Sequence, residues 1–323
     1  MALTPRELLQ KATFSSTAST GDIGNGTKSP LALEQADQFI SIAIAPQALL
    51  SDIRVVRNSA PKWNESKLEF GARILRPGTQ ATRLTDGNRV VPTTSVVEMS
   101  TSLVRGEVPV SDEVWEDNVE GDGFRQRISN GVAERAGLDI EELFIKGDTS
   151  SGDAYLAQTN GFLALAAGTG TNTISAAANA RDWQKTFRQM VLTLPDQFKR
   201  NKADMRFYMP TRLYEMYADA LSTRTTALGD FFIESNRDIR YQDILLKPVA
   251  QWPITTASSV DSTKVLLTNR MNLIAGFQRQ IRVETFRDPR EGVTSYILTA
   301  RVACAIEHVP ATVLATGVIV TAV

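Results

Sequence analysis

The side chains that most often catalyse reactions or bind metals are scarce in this chain of 323 residues, which has one histidine, His308, and one cysteine, Cys304. One histidine cannot form the paired-histidine ligand sets of zinc sites, and one cysteine cannot form an intrachain disulfide or a multi-thiolate metal site. A serine–histidine–aspartate triad would need His308, and no Gly-x-Ser-x-Gly elbow presents the serine. We therefore expect no catalytic centre. We expect His308, at the end of a predicted strand before Pro310, to be structural.

Two glycine-containing stretches approach nucleotide-binding motifs without meeting their requirements. Residues 21–29 (GDIGNGTKS) resemble a phosphate-binding loop, but Thr27 separates Gly26 from Lys28, and no predicted strand precedes them. The Gly168-Thr169-Gly170 segment is a loop and not a dinucleotide fingerprint. The sequence therefore predicts no cofactor.

Acidic residues are concentrated in one short stretch that contains no base. It comprises Asp112, Glu113, Glu116, Asp117, Glu120 and Asp122. Three interpretations stay open: a solvated helix face, a docking surface, or a divalent-cation site, although the spacing of an EF-hand is absent. A predicted hairpin upstream offers a basic partner, because its segment from Ala72 to Pro92 carries Arg73, Arg76, Arg83 and Arg89 against Asp86 alone. Such complementary charges steer and register an interface more than they add affinity.

The overall composition indicates a packed protein without a strongly charged field. The chain is 42% hydrophobic and 22% charged, and 35 basic and 36 acidic residues give a formal net charge of −1. A net charge this close to zero provides no positive field with which the chain could bind the phosphates of nucleic acid. The N-terminus lacks the apolar core of a secretory signal, and the apolar tail from Val309 to Val323 is too short to span a bilayer. We expect no membrane partner.

The first third of the chain predicts a polar arm followed by a long β-hairpin. Residues 13–30 are rich in serine, threonine and glycine, and residues 31–44 have rough helical spacing up to Pro46. Between Trp63 and Pro109 apolar and polar residues alternate, as in strands, and Val96 to Val108 forms the returning strand. The expected apolar face contains Leu68, Phe70, Ala72 and Ile74. An isolated hairpin is marginal in water. We therefore expect it to lie on another surface, of its own chain or of a neighbour, and a shell would require that it become ordered by lying across an adjacent copy.

The clearest predicted helix begins after Ser111, a suitable N-cap, and ends at Lys146-Gly147. Gly121 and Gly123 are expected to interrupt it. The part from Phe124 to Lys146 would be roughly 34 Å long at about 1.5 Å per residue. A helix of this length beside a long hairpin suggests an extended plate.

The remaining pattern predicts an α/β middle third followed by β-strands. Pro195 is expected to kink or end a helix that starts at Trp183, and a second helix starts near Pro210. Strands are expected over residues 205–209, 264–268, 273–277, 281–286 and 294–308. The last two flank Arg287 to Gly292.

This order of parts resembles the major capsid protein of tailed bacteriophages, which has the Hong Kong 97-type fold, over essentially the whole chain. The stretches that carry the resemblance are VRGEVPVSDEVWEDN (104–118), LDIEELFIKGD (138–148) and VETFRDPREGVTSYILTARVACAIEHVPA (283–311). The resemblance implies an α+β protein with an N-terminal arm, an extended hairpin termed the E-loop, a long spine helix, a P-domain β-sheet and an α/β A-domain.

The resemblance also divides the chain. The arm and a short helix would occupy residues 1–50, the E-loop and its base 51–110, and the spine helix 111–147. The A-domain would occupy residues 148–280, the P-domain strands 281–310, and a C-terminal strand returning to the A-domain 311–323. Residues 222–237 would approach the centre of a capsomer, and residues 287–292 would lie near threefold contacts.

The function implied is that of a shell protein and not an enzyme. Hexamers and pentamers would form an icosahedral head around double-stranded DNA, held by non-specific contact, in virions assembled in the host cytoplasm. Implied partners are further copies of the chain, a portal protein, a separate scaffolding protein, because the arm is short, and a possible decoration protein. The residues expected at assembly interfaces are Arg73, Arg76, Arg83, Arg89, Glu113, Glu116, Asp117, Glu120, Arg287, Asp288, Arg290 and Glu291.

One departure from the family concerns covalent cross-links. Some members join an E-loop lysine to a P-domain asparagine, but residues 68–92 contain no lysine and residues 281–308 no asparagine. We therefore expect a shell without cross-links. Two other interpretations are an encapsulin-like bacterial compartment with the same fold, and a monomeric α/β hydrolase or binding protein built on the middle third.

Overall fold

The computed structural model describes residues 48–69, 73–75, 77, 83, 89, 91–113, 122–168, 170, 172–176, 182–222, 238–257, 259–278 and 282–320. Over these residues the chain forms a five-stranded, a seven-stranded and a two-stranded sheet, with helices packed on the larger two. The predicted arm, the helix over 31–44 and the loop over 223–237 lie outside the described residues.

The strands are β1 (Arg54–Asn58), β2 (Lys62–Glu69), β3 (Thr93–Ser100), β4 (Ser102–Ser111), β5 (Asn172–Ser175), β6 (Met205–Pro210), β7 (Arg240–Tyr241), β8 (Ile244–Val249), β9 (Ile254–Ala257), β10 (Val260–Asn269), β11 (Leu273–Gln278), β12 (Arg282–Asp288), β13 (Val293–Ile306) and β14 (Val313–Ile319). The α-helices are α1 (Asp122–Lys146), α2 (Phe162–Ala166), α3 (Trp183–Thr193) and α4 (Thr211–Ser222). Short 3₁₀ turns span Leu156–Gln158, Asp196–Phe198, Lys202–Asp204, Arg270–Asn272 and Val309–Ala311.

The five-stranded sheet is organised around β13, which is 14 residues long. Its first part pairs with β12 on one side and β4 on the other, and its last part pairs with β11, which also pairs with β1. The C-terminal half of α1 covers one face of this sheet, because Phe144 packs edge-on against Phe277 at 5.8 Å between ring centroids. Val302 belongs to the same core.

The seven-stranded sheet has the order β5-β14-β10-β6-β8-β7, with β9 paired to the outer part of β10. The ring centroid of Phe187 on α3 lies 5.1 Å from that of Phe207 on β6 and 5.3 Å from that of Tyr217 on α4. These rings form the centre of a second core. The C-terminal strand β14 lies inside this sheet, between β5 and β10.

Two of the connections between the large sheets lie side by side, and one side chain joins them. The first runs from β10 to β11 and contains Asn272; the second runs from β13 to β14 and contains His308. Asn272 Oδ1 accepts from His308 N at 2.6 Å, and its Nδ2 lies 3.0 Å from His308 O. Nδ2 also lies 2.9 Å from Thr268 Oγ1 and 3.1 Å from Thr312 Oγ1. The relative position of the sheets is therefore fixed locally by a buried amide.

Most predicted elements are present, since α3 ends before Pro195, α4 begins after Pro210, and the strands lie where the alternation places them. Two predictions are corrected. The returning strand over 96–108 is two strands that break at Thr101, because β3 pairs with β2 whereas β4 pairs with β13. Gly123 lies inside α1 and does not interrupt it. The strand Leu273–Gln278 belongs to the five-stranded sheet.

Candidate assembly interface

The ribbon is defined as β2, β3 and the described residues between them, and its base, formed by β2 and β3, has two faces in different environments. Side chains of antiparallel strands alternate between faces, and Trp63 is paired with Met99. These two side chains are only 8% and 2% exposed. Leu68, on the opposite face, is 60% exposed. The base of the ribbon therefore lies against its own chain with one face and exposes the other.

This arrangement corrects one expectation about the hairpin. Its base lies against its own chain, where Trp63 and Met99 are buried. Of the predicted apolar positions, Leu68 and Ile74 are exposed on the single chain. Phe70 and Ala72 lie outside the described residues. The face of β2 that lies against the chain contains Trp63, Glu65 and Lys67. The side chains therefore alternate between two faces as predicted, but the face that lies against the chain includes charged residues.

Small residues of the five-stranded sheet form a slot for the ribbon base. A Cβ atom at Gly276 would lie 2.8 Å from both Met99 Cε and Trp63 Cζ2, which leaves room only for glycine. Gly276 is paired with Ala303 on β13, and Ala305 belongs to the same cluster. The indole ring thus lies over Gly276 and two alanines, beside Ile274, on the face of the sheet opposite to α1.

A network of charged groups lies beside this slot. Arg54 Nη2 lies 3.2 Å from Glu65 Oε2, and Arg54 Nη1 lies 3.3 Å from Glu307 Oε2. Lys67 Nζ donates to the backbone carbonyl of Glu307 at 3.4 Å. The side chains of both ion pairs are partly buried. One guanidinium therefore joins β1, the ribbon and the connection that leads from β13 to β14.

The outer face and distal part of the ribbon expose apolar side chains next to arginines. Leu75 and Val91 are 83% and 77% exposed. The exposed apolar residues of the ribbon are Leu68, Ile74, Leu75, Val91 and Val96. The predicted interface residues Arg73, Arg83 and Arg89 are also exposed, while Arg76 lies outside the described residues. Apolar surface displayed in this way is typical of an interaction site.

The predicted acidic surface is described only at its start. Glu113 is exposed. Asp112 accepts from the guanidinium of Arg287 at 2.8 Å. The other predicted interface residues of this stretch, Glu116, Asp117 and Glu120, lie outside the described residues. Their proximity to the ribbon arginines of another copy stays a prediction.

The turn between β12 and β13 contains the last group of predicted interface residues. Asp288 Oδ1 accepts from the backbone N–H of Arg290 at 2.9 Å and so shapes the turn. Gly292 has a φ of +60°, which favours glycine at the point where β13 begins. Arg290 and Glu291 are exposed, whereas Arg287 is bound to Asp112 of its own chain. Arg290 and Glu291 are therefore exposed without the ion pair to Asp112 that Arg287 makes.

His308 and Cys304 occupy structural positions. The backbone of His308 is bound by Asn272, and His308 Nε2 lies 3.9 Å from Glu307 Oε1, beside a cavity of about 300 Å³. Cys304 donates from Sγ to Asn160 O at 2.8 Å. Burial raises the pKa of the Cys304 thiol to about 12, although a hydrogen bond with Thr159 lowers it slightly. A thiol of this kind is a poor nucleophile.

A larger groove of about 610 Å³ lies between α2 and the β9–β10 hairpin. Its charged and amide lining groups are Lys146, Asp148, Asn160 and Lys264. Lys146 is already paired with Glu142 at 2.8 Å. Within the described residues, no three side chains of histidine, cysteine, aspartate or glutamate are grouped as metal ligands. Among the helices that the structure describes, none is long and apolar enough to cross a membrane.

Sequence reasoning missed the residues that hold the ribbon to the body: Trp63, Arg54, Glu65, Glu307 and Gly276. A partial signal was present, since Trp63, Glu65 and Lys67 occupy alternate positions of one strand. Their partners are distant along the chain, and the contact between Arg54 and Glu307 spans 253 positions. Only the tertiary structure brings them together.

Comparisons with known proteins agree with this architecture. No protein-family profile matches the chain. It is 33% identical over 301 residues to a Bacillus subtilis (strain 168) protein named as the prophage capsid protein YqbE, covering 92% of this chain and 93% of that one.

Two solved structures show the same fold at lower identity. The satellite phage P4 procapsid, whose structure includes the size determination protein Sid, aligns with a TM-score of 0.63 at 12% identity and covers 98% of both chains. The SrpI encapsulin complex from Synechococcus elongatus PCC 7942 aligns with a TM-score of 0.56 at 14% identity and covers 100% of this chain and 98% of that one.

Proposed function

Since this chain belongs to the family of phage capsid proteins, we propose that it assembles as hexamers and pentamers into an icosahedral head. The head would enclose double-stranded DNA. The chain, whose net charge is near zero, would contact this DNA without recognising its sequence. The chain's role is structural, with no catalytic step. Its location would be the virion, after assembly in the host cytoplasm.

The observation that carries this proposal is the exposed outer face of the ribbon. A stable interface buries about 1,600 Å² in total, and a ribbon with strands of about 3.4 Å per residue supplies a long contact without a larger core. The exposed apolar side chains of the ribbon, Leu75 and Val91 above all, would be covered by an adjacent copy. Head-to-tail contacts of this kind close into rings.

The acidic stretch after β4 is the proposed receptor for the ribbon arginines. Asp112 is already bound to Arg287 within the chain, so the receptor would consist of the remaining acidic interface residues. These are Glu113, Glu116, Asp117 and Glu120. Arg290 and Glu291, exposed at the β12–β13 turn, would pair with another copy near a threefold axis.

The two large sheets would correspond to the two domains of the fold. The five-stranded sheet and α1 would form the P-domain, and the seven-stranded sheet with α3 and α4 the A-domain. The residues around 222–237 would approach the capsomer centre. The proposed partners besides further copies are a portal protein, a separate scaffolding protein and a decoration protein.

Expression of the full chain, followed by sedimentation and negative-stain electron microscopy, tests the shell directly. Particles support it, whereas a 35 kDa species that never assembles contradicts it. Reversal of charge by Arg76→Glu with Arg83→Glu should lower the yield of particles, and adding Glu116→Arg or Asp117→Arg should partly restore it. Unchanged yield in the arginine variant would contradict the receptor assignment while leaving the shell intact.

An encapsulin-like compartment is the second candidate, favoured by the shared fold with the SrpI encapsulin. Particles purified from the native source distinguish the two functions. Packaged DNA supports a phage head, whereas enclosed cargo enzymes without DNA support a compartment.

A further inference from the structure

We propose that Arg54 is a positioning residue that sets the angle between the ribbon and the body of its own chain, with Trp63 as an apolar pivot. The proposal deepens the proposed function, because the ribbon must point in a defined direction to reach another copy. The angle itself is a property of the single chain and can be measured without assembly.

Strand register places the slot and the charged network on one face of the five-stranded sheet. Arg54 is paired with Ile274, and Val56 with Gly276, two positions further along the same strands. Residues two apart lie on the same face of a strand. Arg54 and Gly276 are therefore neighbours on the face that the ribbon crosses, and the ribbon contacts them with Trp63 and Glu65, which are also two positions apart.

The contact at Trp63 holds the ribbon without giving it a direction. Its ring lies against Gly276 and the paired Met99 in an apolar cluster. Trp63 Nε1 is buried and has no hydrogen-bond partner among the described residues. In contrast, the indole nitrogens of Trp183 and Trp252 donate to Ile319 O and Lys264 O at 3.0 and 2.7 Å. Dispersion and apolar burial depend little on orientation, so the ring is suited to act as a pivot.

The ion pairs of Arg54 supply a direction, beside the longer hydrogen bond from Lys67 Nζ to Glu307 O at 3.4 Å. A guanidinium is a planar group whose donors have fixed directions, so two acceptors bound at once define an orientation. Nη2 binds Glu65 of the ribbon and Nη1 binds Glu307 of the connection. Glu307 is itself fixed, because its backbone N–H donates to Asn272 O at 3.0 Å. Arg54 thereby ties the ribbon to the connection that joins the two sheets.

Spin labels measure this angle in the full-length protein. Val91→Cys places a label on the exposed distal ribbon, and Leu192→Cys places one on the exposed surface of α3. Cys304→Ala in every labelled protein removes the native thiol, so that the two introduced cysteines carry the labels. Dilution of labelled protein with unlabelled chains restricts electron–electron double resonance to distances within one chain.

We expect Arg54→Ala to broaden the distance distribution and shift its maximum, and Arg54→Lys to restore it in part. Trp63→Phe keeps an apolar ring in the slot and should leave the distribution narrow. The matched control is Arg212→Ala, which removes an ion pair at 2.7 Å between α4 and Asp261 of β10, in the other core, and should not change the distribution. A distribution for Arg54→Ala equal to that of the parent protein overturns the proposal.

Assembly gives a second, separable readout. If the parent chain forms particles, Arg54→Ala should produce a mixture of particles and irregular aggregates, while Arg212→Ala should produce uniform particles. If the parent chain forms no particles, the proposed function fails, but the distance measurement still decides the role of Arg54.

Discussion

Arg287 Nη2 lies 2.8 Å from Asp112 Oδ2, and Nε of the same guanidinium lies 3.2 Å from that oxygen. The backbone N–H of Asp112 also donates to Gly292 O at 2.7 Å. The turn between β12 and β13 is thereby fastened to the residue that follows β4. Arg287, expected to pair with another copy across a symmetry axis, has its ion pair within its own chain.

Asp112→Asn should lower the free energy of unfolding by about 0.2–1 kcal/mol, because Arg287 is largely exposed to solvent. The effect should shrink as salt is added, since exposed ion pairs are screened. Chemical denaturation at two salt concentrations measures it. Unchanged stability together with a loss of particles would show instead that the contact serves the interface between copies.

Asn272→Ala should lower the free energy of unfolding by about 1–3 kcal/mol, because it removes the acceptor of His308 N and the amide donor that serves His308 O and the buried hydroxyls of Thr268 and Thr312. Denaturant unfolding of the two proteins measures the difference. Asn172→Ala is the matched control, since Asn172 Nδ2 donates to Pro310 O at an exposed position. The free energy of unfolding of Asn172→Ala should fall by less than about 1 kcal/mol. Equal losses in the two variants would show that Asn272 does not join the connections.

Glu141→Gln should make stability less dependent on pH. Burial raises the pKa of Glu141 above its ordinary value of 4.5, more than hydrogen bonds from the backbone of Leu49 and Leu50 lower it. The folded state thus holds this proton more tightly than the unfolded state, so stability falls as pH rises from 4.5 through the raised folded pKa. In the parent protein Leu49 N lies 2.7 Å from Glu141 Oε1. Glutamine stays neutral at every pH and still has a side-chain oxygen that can accept this hydrogen bond.

Melting temperatures over a pH series test this prediction. As pH rises above 4.5, the melting temperature of the variant should increase relative to that of the parent protein. The difference between the two melting temperatures should become constant once the pH exceeds the raised pKa of Glu141 in the folded state. A difference that does not change with pH would contradict the assignment of the raised pKa to Glu141.

Assembled particles should dissociate into single chains when boiled in detergent. The ribbon segment 68–92 has no lysine and the segment 281–308 has no asparagine, so neither partner of an isopeptide bond is present where the family places it. Denaturing gel electrophoresis of boiled, reduced and non-reduced particles measures this. A ladder of covalent multimers would contradict the prediction.

The sequence by itself determined the element order and much of the element type. Pro195 ended α3, the residues after Pro210 formed α4, and alternating residues in the last third formed β12 and β13. These outcomes depend on short-range chemistry: proline removes a backbone donor, and side-chain period distinguishes helix from strand. Composition also excluded paired-histidine zinc sites and intrachain disulfides, because one histidine and one cysteine are too few.

The tertiary structure alone decided which face of the ribbon is buried and which charges are paired. Alternation within a strand predicts two faces but does not show which of them is buried, because a shift of one residue exchanges them. The space over Gly276 is what places Trp63 on the buried face. Likewise, Arg54 could have bound any carboxylate, and its bond to Glu307 depends on the position of β13 in the sheet. Such contacts join residues hundreds of positions apart, and local propensity carries no information about them.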